Sequence, residues 1–149
     1  TNTGHWNVVS GTAANNQTEG PNGRQAGSLT ASNSDPYIYS SYIFTVATGS
    51  LTFSAYVKGS GATIGMGGDI RINFGTSAGQ ATGTNTTSNY TITGDWQRVS
   101  VTATATGAGT IKVGLEPIKE SNWLEIDSLF RSEIRFFILF SLDKSKERI

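Results

Sequence analysis

The chain has 149 residues, a formal net charge of zero and no cysteine. That length suffices for one domain with a single core; the missing cysteines exclude a disulfide framework and thiolate zinc sites and leave the redox compartment open. The scattered, balanced basic residues exclude the electrostatic footprint of a nucleic-acid binder.

The chain opens on TNTGHWNVVSG, with neither an initiator methionine nor a charged start leading into an apolar run. An excised or incomplete reading frame, with any targeting signal upstream, is expected from that start. All 18 glycines lie in residues 1–128, a stretch rich in Thr, Ser, Gly and Asn that favours strands and tight turns. An early strand is expected around Gly27 to Ala31 and another over Tyr37 to Val46. From Ser50 to Lys58, Leu51, Phe53, Ala55 and Val57 share one parity against Thr52, Ser54, Tyr56 and Lys58, which predicts a half-buried strand with the first set inward.

After the flexible stretch GSGATIGMGG, the run Asp69 to Phe74 repeats the pattern, with Ile70, Ile72 and Phe74 inward and Asp69, Arg71 and Asn73 outward. Trp96 to Ala105 sets Val99, Val101, Ala103 and Ala105 against Arg98, Ser100, Thr102 and Thr104. Beyond Gly107 to Gly109 come Ile111, Val113 and Leu115, so the last two runs read as a hairpin. A late strand is expected over Trp123 to Asp127. About eight turn-punctuated strands with no helical period predict an all-β, antiparallel β-sandwich of jelly-roll type for residues 1–128.

Residues 129–149, LFRSEIRFFILFSLDKSKERI, hold no glycine and eight charged residues, and form a C-terminal apolar and charged tail. Ser132 as N-cap, Glu133 in the first turn and Lys144, Lys146 and Arg148 at the end suit a helix from about Ser132 to Lys146. The β-branched and aromatic residues from Ile134 to Leu142 also allow a final strand; the helix is favoured. Such a helix would be apolar nearly all round, so it must bury against the sandwich or a second chain, and a homo-oligomer through the tail is expected. The same run, interrupted by Arg135 and Ser141, is far shorter than the roughly 20 residues that span a bilayer, so no membrane insertion is expected.

GSLTFSAYVKG (Gly49 to Gly59), ITGDWQRVSVTATATGAGTIKVGL (Ile92 to Leu115) and WLEIDSL (Trp123 to Leu129), preceded by GPNGRQAGSL (Gly20 to Leu29), occur in an order that resembles the jelly-roll carbohydrate-binding modules of the galactose-binding-like superfamily. The order is particularly similar to versions in bacteriophage tail proteins. The sequence departs from that pattern after Asp127, where the tail follows directly, a junction that a shifted reading frame would produce. The resemblance implies a non-catalytic module that binds a glycan or polysaccharide, with an extracellular or virion-associated setting. A structural or decoration domain of a virion or cell surface is the alternative.

Sugar recognition combines aromatic rings with amides and charges that read hydroxyls. The candidates on the non-core parity of their strands are Tyr56, Asp69, Arg71, Asn73, Trp123 and Glu125, which form one surface if their strands share a sheet. Tyr37, Tyr39, Tyr42 and Tyr90 make a second patch. The resemblance further implies that Trp96 and Arg98 are structural, and that Asp127 joins carbonyls of an early loop such as Asn15 to Gly20 around a structural calcium ion; no other cofactor is required. Glu125 and Asp127 lie two residues apart, about 7 Å by strand rise, but neighbours on one strand rarely flank a sugar as acid and base. A lone histidine, His5, builds neither a triad nor a multi-histidine metal site.

Overall fold

The computed structural model describes residues 6–9, 11–16, 26–31, 37–119 and 134–139. Within them run β1 (Trp6–Val9), β2 (Gly11–Asn16), β3 (Ala26–Ala31), β4 (Tyr37–Ser40), β5 (Phe44–Val46), β6 (Gly49–Gly59), β7 (Gly67–Asn73), β8 (Thr82–Gly83), β9 (Thr86–Thr91), β10 (Gln97–Gly107), β11 (Gly109–Lys119) and β12 (Ile134–Leu139). One sheet has the order β1-β4-β11-β7-β9, with β5 also paired to β11. The other has the order β2-β3-β12-β6-β10-β8. Each pairing between these described strands is antiparallel, and the only helical element among the described residues is the 3-10 turn Gly61–Thr63. The architecture is an all-β sandwich.

The alternating runs build the core. Leu51, Phe53, Ala55 and Val57 of β6 and Val99, Val101, Ala103 and Ala105 of β10 come from one sheet; Ile70 and Ile72 of β7 and Ile111, Val113 and Leu115 of β11 come from the other. All are buried in one cluster with Ile38, Val46, Phe74, Ala81 and Ile92. Each large side chain withdrawn from water there contributes roughly 1.5–3 kcal/mol. On β10 the opposite parity, Arg98, Ser100, Thr102 and Thr104, is exposed.

Three expectations are corrected. β10 and β11 do not form a hairpin: β10 pairs with β6 and β8, whereas β11 pairs with β4, β5 and β7 in the facing sheet. The connection between them crosses from one layer to the other. Gly109 permits this with a φ of 153°, and its backbone packs so closely on 79–81 that a Cβ would lie 2.5 Å from the Ala81 nitrogen. The Thr110 amide donates to the Gly79 carbonyl at 2.9 Å, and the Ala81 amide donates to the Thr110 carbonyl at 2.9 Å. A glycine-bearing turn between two alternating strands has the same local signature in an arch as in a hairpin.

The second correction concerns the tail. Residues 134–139 form a strand, not the favoured helix. β12 pairs with β3 on one side, Phe136 opposite Gly27, and with β6 on the other, Phe136 opposite Val57. A strand has open backbone groups on both edges, and here both edges are occupied, so tertiary pairing overrides the local capping pattern. Residues 134–139 therefore present no apolar helix that would need a second chain to cover it. The third correction is smaller: Tyr37 to Val46 is two strands, both paired to β11. Between them the Val113 amide donates to Ser40 Oγ at 3.0 Å, a buried hydrogen bond that satisfies a donor where the ladder changes partner.

Candidate functional site

The register of the first sheet decides which side chains meet. Arg71 of β7 stands opposite Gly114 of β11, which in turn stands opposite Tyr39 of β4 and leaves no side chain between them. Two residues along, Glu116 is opposite Asp69; two residues the other way, Lys112 is opposite Asn73. The three outward positions of β7 thus lie beside the three outward positions of β11. Both strands bury their alternate residues in the core.

At one end, Asp69 and Glu116 are directly opposed, an arrangement that destabilises a strand pair when the charges are alike. Arg71 offsets it by leaning diagonally across Gly114. One of its terminal nitrogens, Nη2, donates to Glu116 Oε2 at 2.8 Å and lies 3.5 Å from Asp69 Oδ2. The acids form the lower layer, with side chains 7% and 11% exposed, while the Arg71 side chain is 28% exposed. Tyr90 of β9 packs against the core from the same end and donates from its hydroxyl to the Glu116 carbonyl at 3.1 Å. Burial foremost, and then the negative charges of Asp69 and Glu116, push the Tyr90 phenol well above its ordinary range.

At the other end, Lys112 Nζ lies 4.9 Å from the Tyr39 ring centroid and 5.7 Å from that of Tyr42. The Tyr42 hydroxyl is fixed in turn by donating to the Phe74 carbonyl at 3.1 Å. Tyr39, Tyr42, Asn73 and Lys112 are all partly exposed. This face therefore presents two tyrosines, an amide, an ammonium and a guanidinium on a sheet, the groups that can stack on a flat ring and donate to its oxygens.

The candidates divide between the two layers. Asp69, Arg71 and Asn73 share the first sheet's outer face with Tyr39 and Tyr42; Asp69 has the outward parity but is buried beneath Arg71. Tyr56 lies in the other sheet, opposite Arg98 on one side and Phe137 on the other, so it is not part of the same surface. Arg98 donates there to Ser54 Oγ at 3.1 Å, and Lys58 Nζ lies 5.9 Å from the partly buried Trp96 ring. Tyr90 is turned to the core side, opposite Gly68. Tyr37 lies in β4. Trp123, Glu125, Asp127 and His5 lie outside the described residues, as does the loop after Asn16. Among the described residues no group of three or more His, Cys, Asp and Glu could hold a metal ion, and no helix is long and apolar enough to cross a membrane.

Sequence reasoning missed Lys112, Gly114 and Glu116. Their signal was the even parity of a strand already recognised from Ile111, Val113 and Leu115. What could not be read was which strand lies beside it.

No family model matches the sequence, and no curated protein matches it. Solved structures do. The chain is similar to the CBM22-1–GH10 modules of Clostridium thermocellum endo-1,4-β-D-xylanase 10B complexed with xylohexaose, with a TM-score of 0.67 and 15% identity over 97% of this chain and 27% of that one. It is similar to the enzymatically active domain of bacteriophage CBA120 tailspike protein 4, with a TM-score of 0.62 and 9% identity over 93% of this chain and 19% of that one. It also matches TmCBM61 in complex with β-1,4-galactotriose, with a TM-score of 0.55 and 13% identity over 91% of this chain and 88% of that one. At such identities the likeness is one of fold, and the fold is the jelly-roll sandwich found in carbohydrate-binding modules. The chain spans only a minor part of the xylanase and tailspike chains, and most of the third.

Proposed function

We propose that this chain is a non-catalytic carbohydrate-binding module that engages a glycan on the outer face of its first sheet. The observation that carries this reading is the convergence of Tyr39, Tyr42, Asn73, Lys112 and Arg71 on one sheet face. The fold supports it: structures with the same architecture include modules complexed with xylohexaose and galactotriose. A tailspike domain among them supports a virion-associated or secreted setting, in which the module holds a larger protein at a polysaccharide surface. Fold alone does not dictate ligand, so the site is what the test must address.

A glycan array with the intact chain, repeated with Tyr39→Ala and Asn73→Ala, provides that test. The expected result is reproducible binding to a defined glycan class, weakened about tenfold or more when the ring is removed, because a stacked aromatic contributes ~1 kcal/mol or more beyond its buried area. Silence across diverse glycans would refute the reading and favour a structural or decoration domain. Binding lost in Tyr56→Ala but kept in Tyr39→Ala would move the site to the other sheet. A structural calcium ion held through Asp127 is a separate proposal. It fails if chelator leaves the melting temperature of calcium-loaded protein unchanged.

A further inference from the structure

Resting on the glycan-binding reading, we infer that the ligand of this face is an anionic saccharide, its carboxylate or sulfate seated against Lys112 and Asn73 with Arg71 alongside. The inference follows from how charge is layered. Asp69 and Glu116 are buried, and both are engaged by Arg71 from above. Among the side chains described on this outer face, the most exposed charged groups are the cations Arg71 and Lys112. A ligand approaching the sheet therefore meets positive charge first, although the four groups sum to zero.

Lys112 differs from Arg71 in having no ion pair among the described residues. Its ammonium is placed instead by two rings. Cation–π contacts hold a cation without neutralising it, so the charge remains available to an anion. Arg71 and Lys112 are diagonal neighbours across the β7–β11 pair, about 7–8 Å apart at the backbone. Arg71 is held toward Glu116 and Lys112 toward the tyrosine rings, so the two cations address separate groups on adjacent sugars, with Lys112 the one seated on the anion. The Asn73 amide, directly opposite Lys112, adds a donor at the same end. A neutral sugar would leave the ammonium partly desolvated with no counter-charge, a loss that discriminates against it.

Affinity electrophoresis of the full chain tests this in gels containing polygalacturonate, alginate or κ-carrageenan, against carboxyl-reduced or desulfated forms of the same polymers and against neutral xylan and galactan. Retention by at least one anionic polymer is expected, abolished when its anionic groups are removed and reduced on raising the salt concentration. Lys112→Gln should weaken it about tenfold or more, with Lys112→Arg retaining most of it, as expected for a charge-assisted contact. Loss of retention on the carboxyl-reduced polymer alone identifies the carboxylate; loss on the desulfated one alone identifies the sulfate. Equal retention by the charge-stripped polymers overturns the inference, as does unchanged affinity in Lys112→Gln. Should Lys112→Gln not fold, Asn73→Ala takes its place with the same expectation. Retention by neutral polymers alone overturns this inference and leaves glycan binding standing; retention by none overturns both.

Discussion

Arg71→Met removes the cation that sits between Asp69 and Glu116 while keeping most of the aliphatic stem. The two acids are directly opposed in the β7–β11 ladder and are 5% and 8% exposed, so the variant deprives a buried like-charge pair of this counter-charge. At an effective dielectric near 20, an ion pair at about 4 Å is worth about 4 kcal/mol gross, and Arg71 makes two such contacts. Most of that is offset by desolvation, and breaking one side of a buried pair typically costs ~3–5 kcal/mol net. The Arg71 side chain is 28% exposed, so water relieves part of the strain and the lower end, about 3 kcal/mol, is expected. For a chain of this size that corresponds to a fall in melting temperature of roughly 6–12 °C.

Urea unfolding followed by tryptophan fluorescence gives the free energy, and a thermal melt gives an independent check. The decisive comparison is Asp69→Asn with Glu116→Gln in the Arg71→Met background. If repulsion between the acids is the cause, the neutral amides should recover about 1–2 kcal/mol. An Arg71→Met variant within ~0.5 kcal/mol of wild type would refute the reasoning. So would a triple variant no more stable than the single one, since the loss would then come from packing of the stem.

Tyr90→Phe should cost ~1 kcal/mol near neutral pH through the lost hydrogen bond to the Glu116 carbonyl. Because the folded-state phenol pKa is raised, its contribution is fully present below the unfolded value of about 10 and is lost as pH climbs above it. Stability curves of the two proteins should therefore converge in alkali, and parallel curves would refute that account. Gly68→Ala places a Cβ into the Tyr90 ring and should destabilise by about 1–3 kcal/mol in urea unfolding. Tyr90→Ala in the same background should remove most of that penalty. Truncation after Ser128 removes β12 from between β3 and β6 and should abolish cooperative unfolding; an unchanged melt would show that residues 134–139 are not needed to complete the sheet.

The strands and their inward faces were legible because side-chain direction alternates with a period of two, a local property. The inward parity places Leu51, Phe53, Ala55, Val57, Ile70, Ile72, Phe74, Val99, Val101, Ala103, Ala105, Ile111, Val113 and Leu115 in the core, and each of these is buried. Neighbour relations are not local. β7 pairs with β11, and β6 with β12 and β10; partners so far apart along the chain leave no mark in composition. Parity alone therefore puts Tyr56 and Arg71 on one face although they occupy different sheets, and it does not show that Glu116 stands opposite Asp69. In residues 134–139 the local signals favoured a helix, and two waiting strand edges outweighed them.

The buried acids bear on function as well as stability. Replacing an ion cluster of this kind with apolar residues of similar volume is often neutral or stabilising, so Asp69, Arg71 and Glu116 are weakly accounted for by stability alone. Two acids from adjacent strands fix the Arg71 guanidinium at the surface, beside a glycine that leaves room for it and with only β11 between it and Tyr39. Lys112 is fixed independently by two rings. On the glycan-binding reading, both cations are ordered before ligand arrives, which lowers the entropic cost of association. Neutralising the acids together with Arg71 can therefore restore folding and still leave binding weak. Recovery of stability without recovery of affinity in Arg71→Met/Asp69→Asn/Glu116→Gln is the result that separates a positioning cluster from a merely structural one.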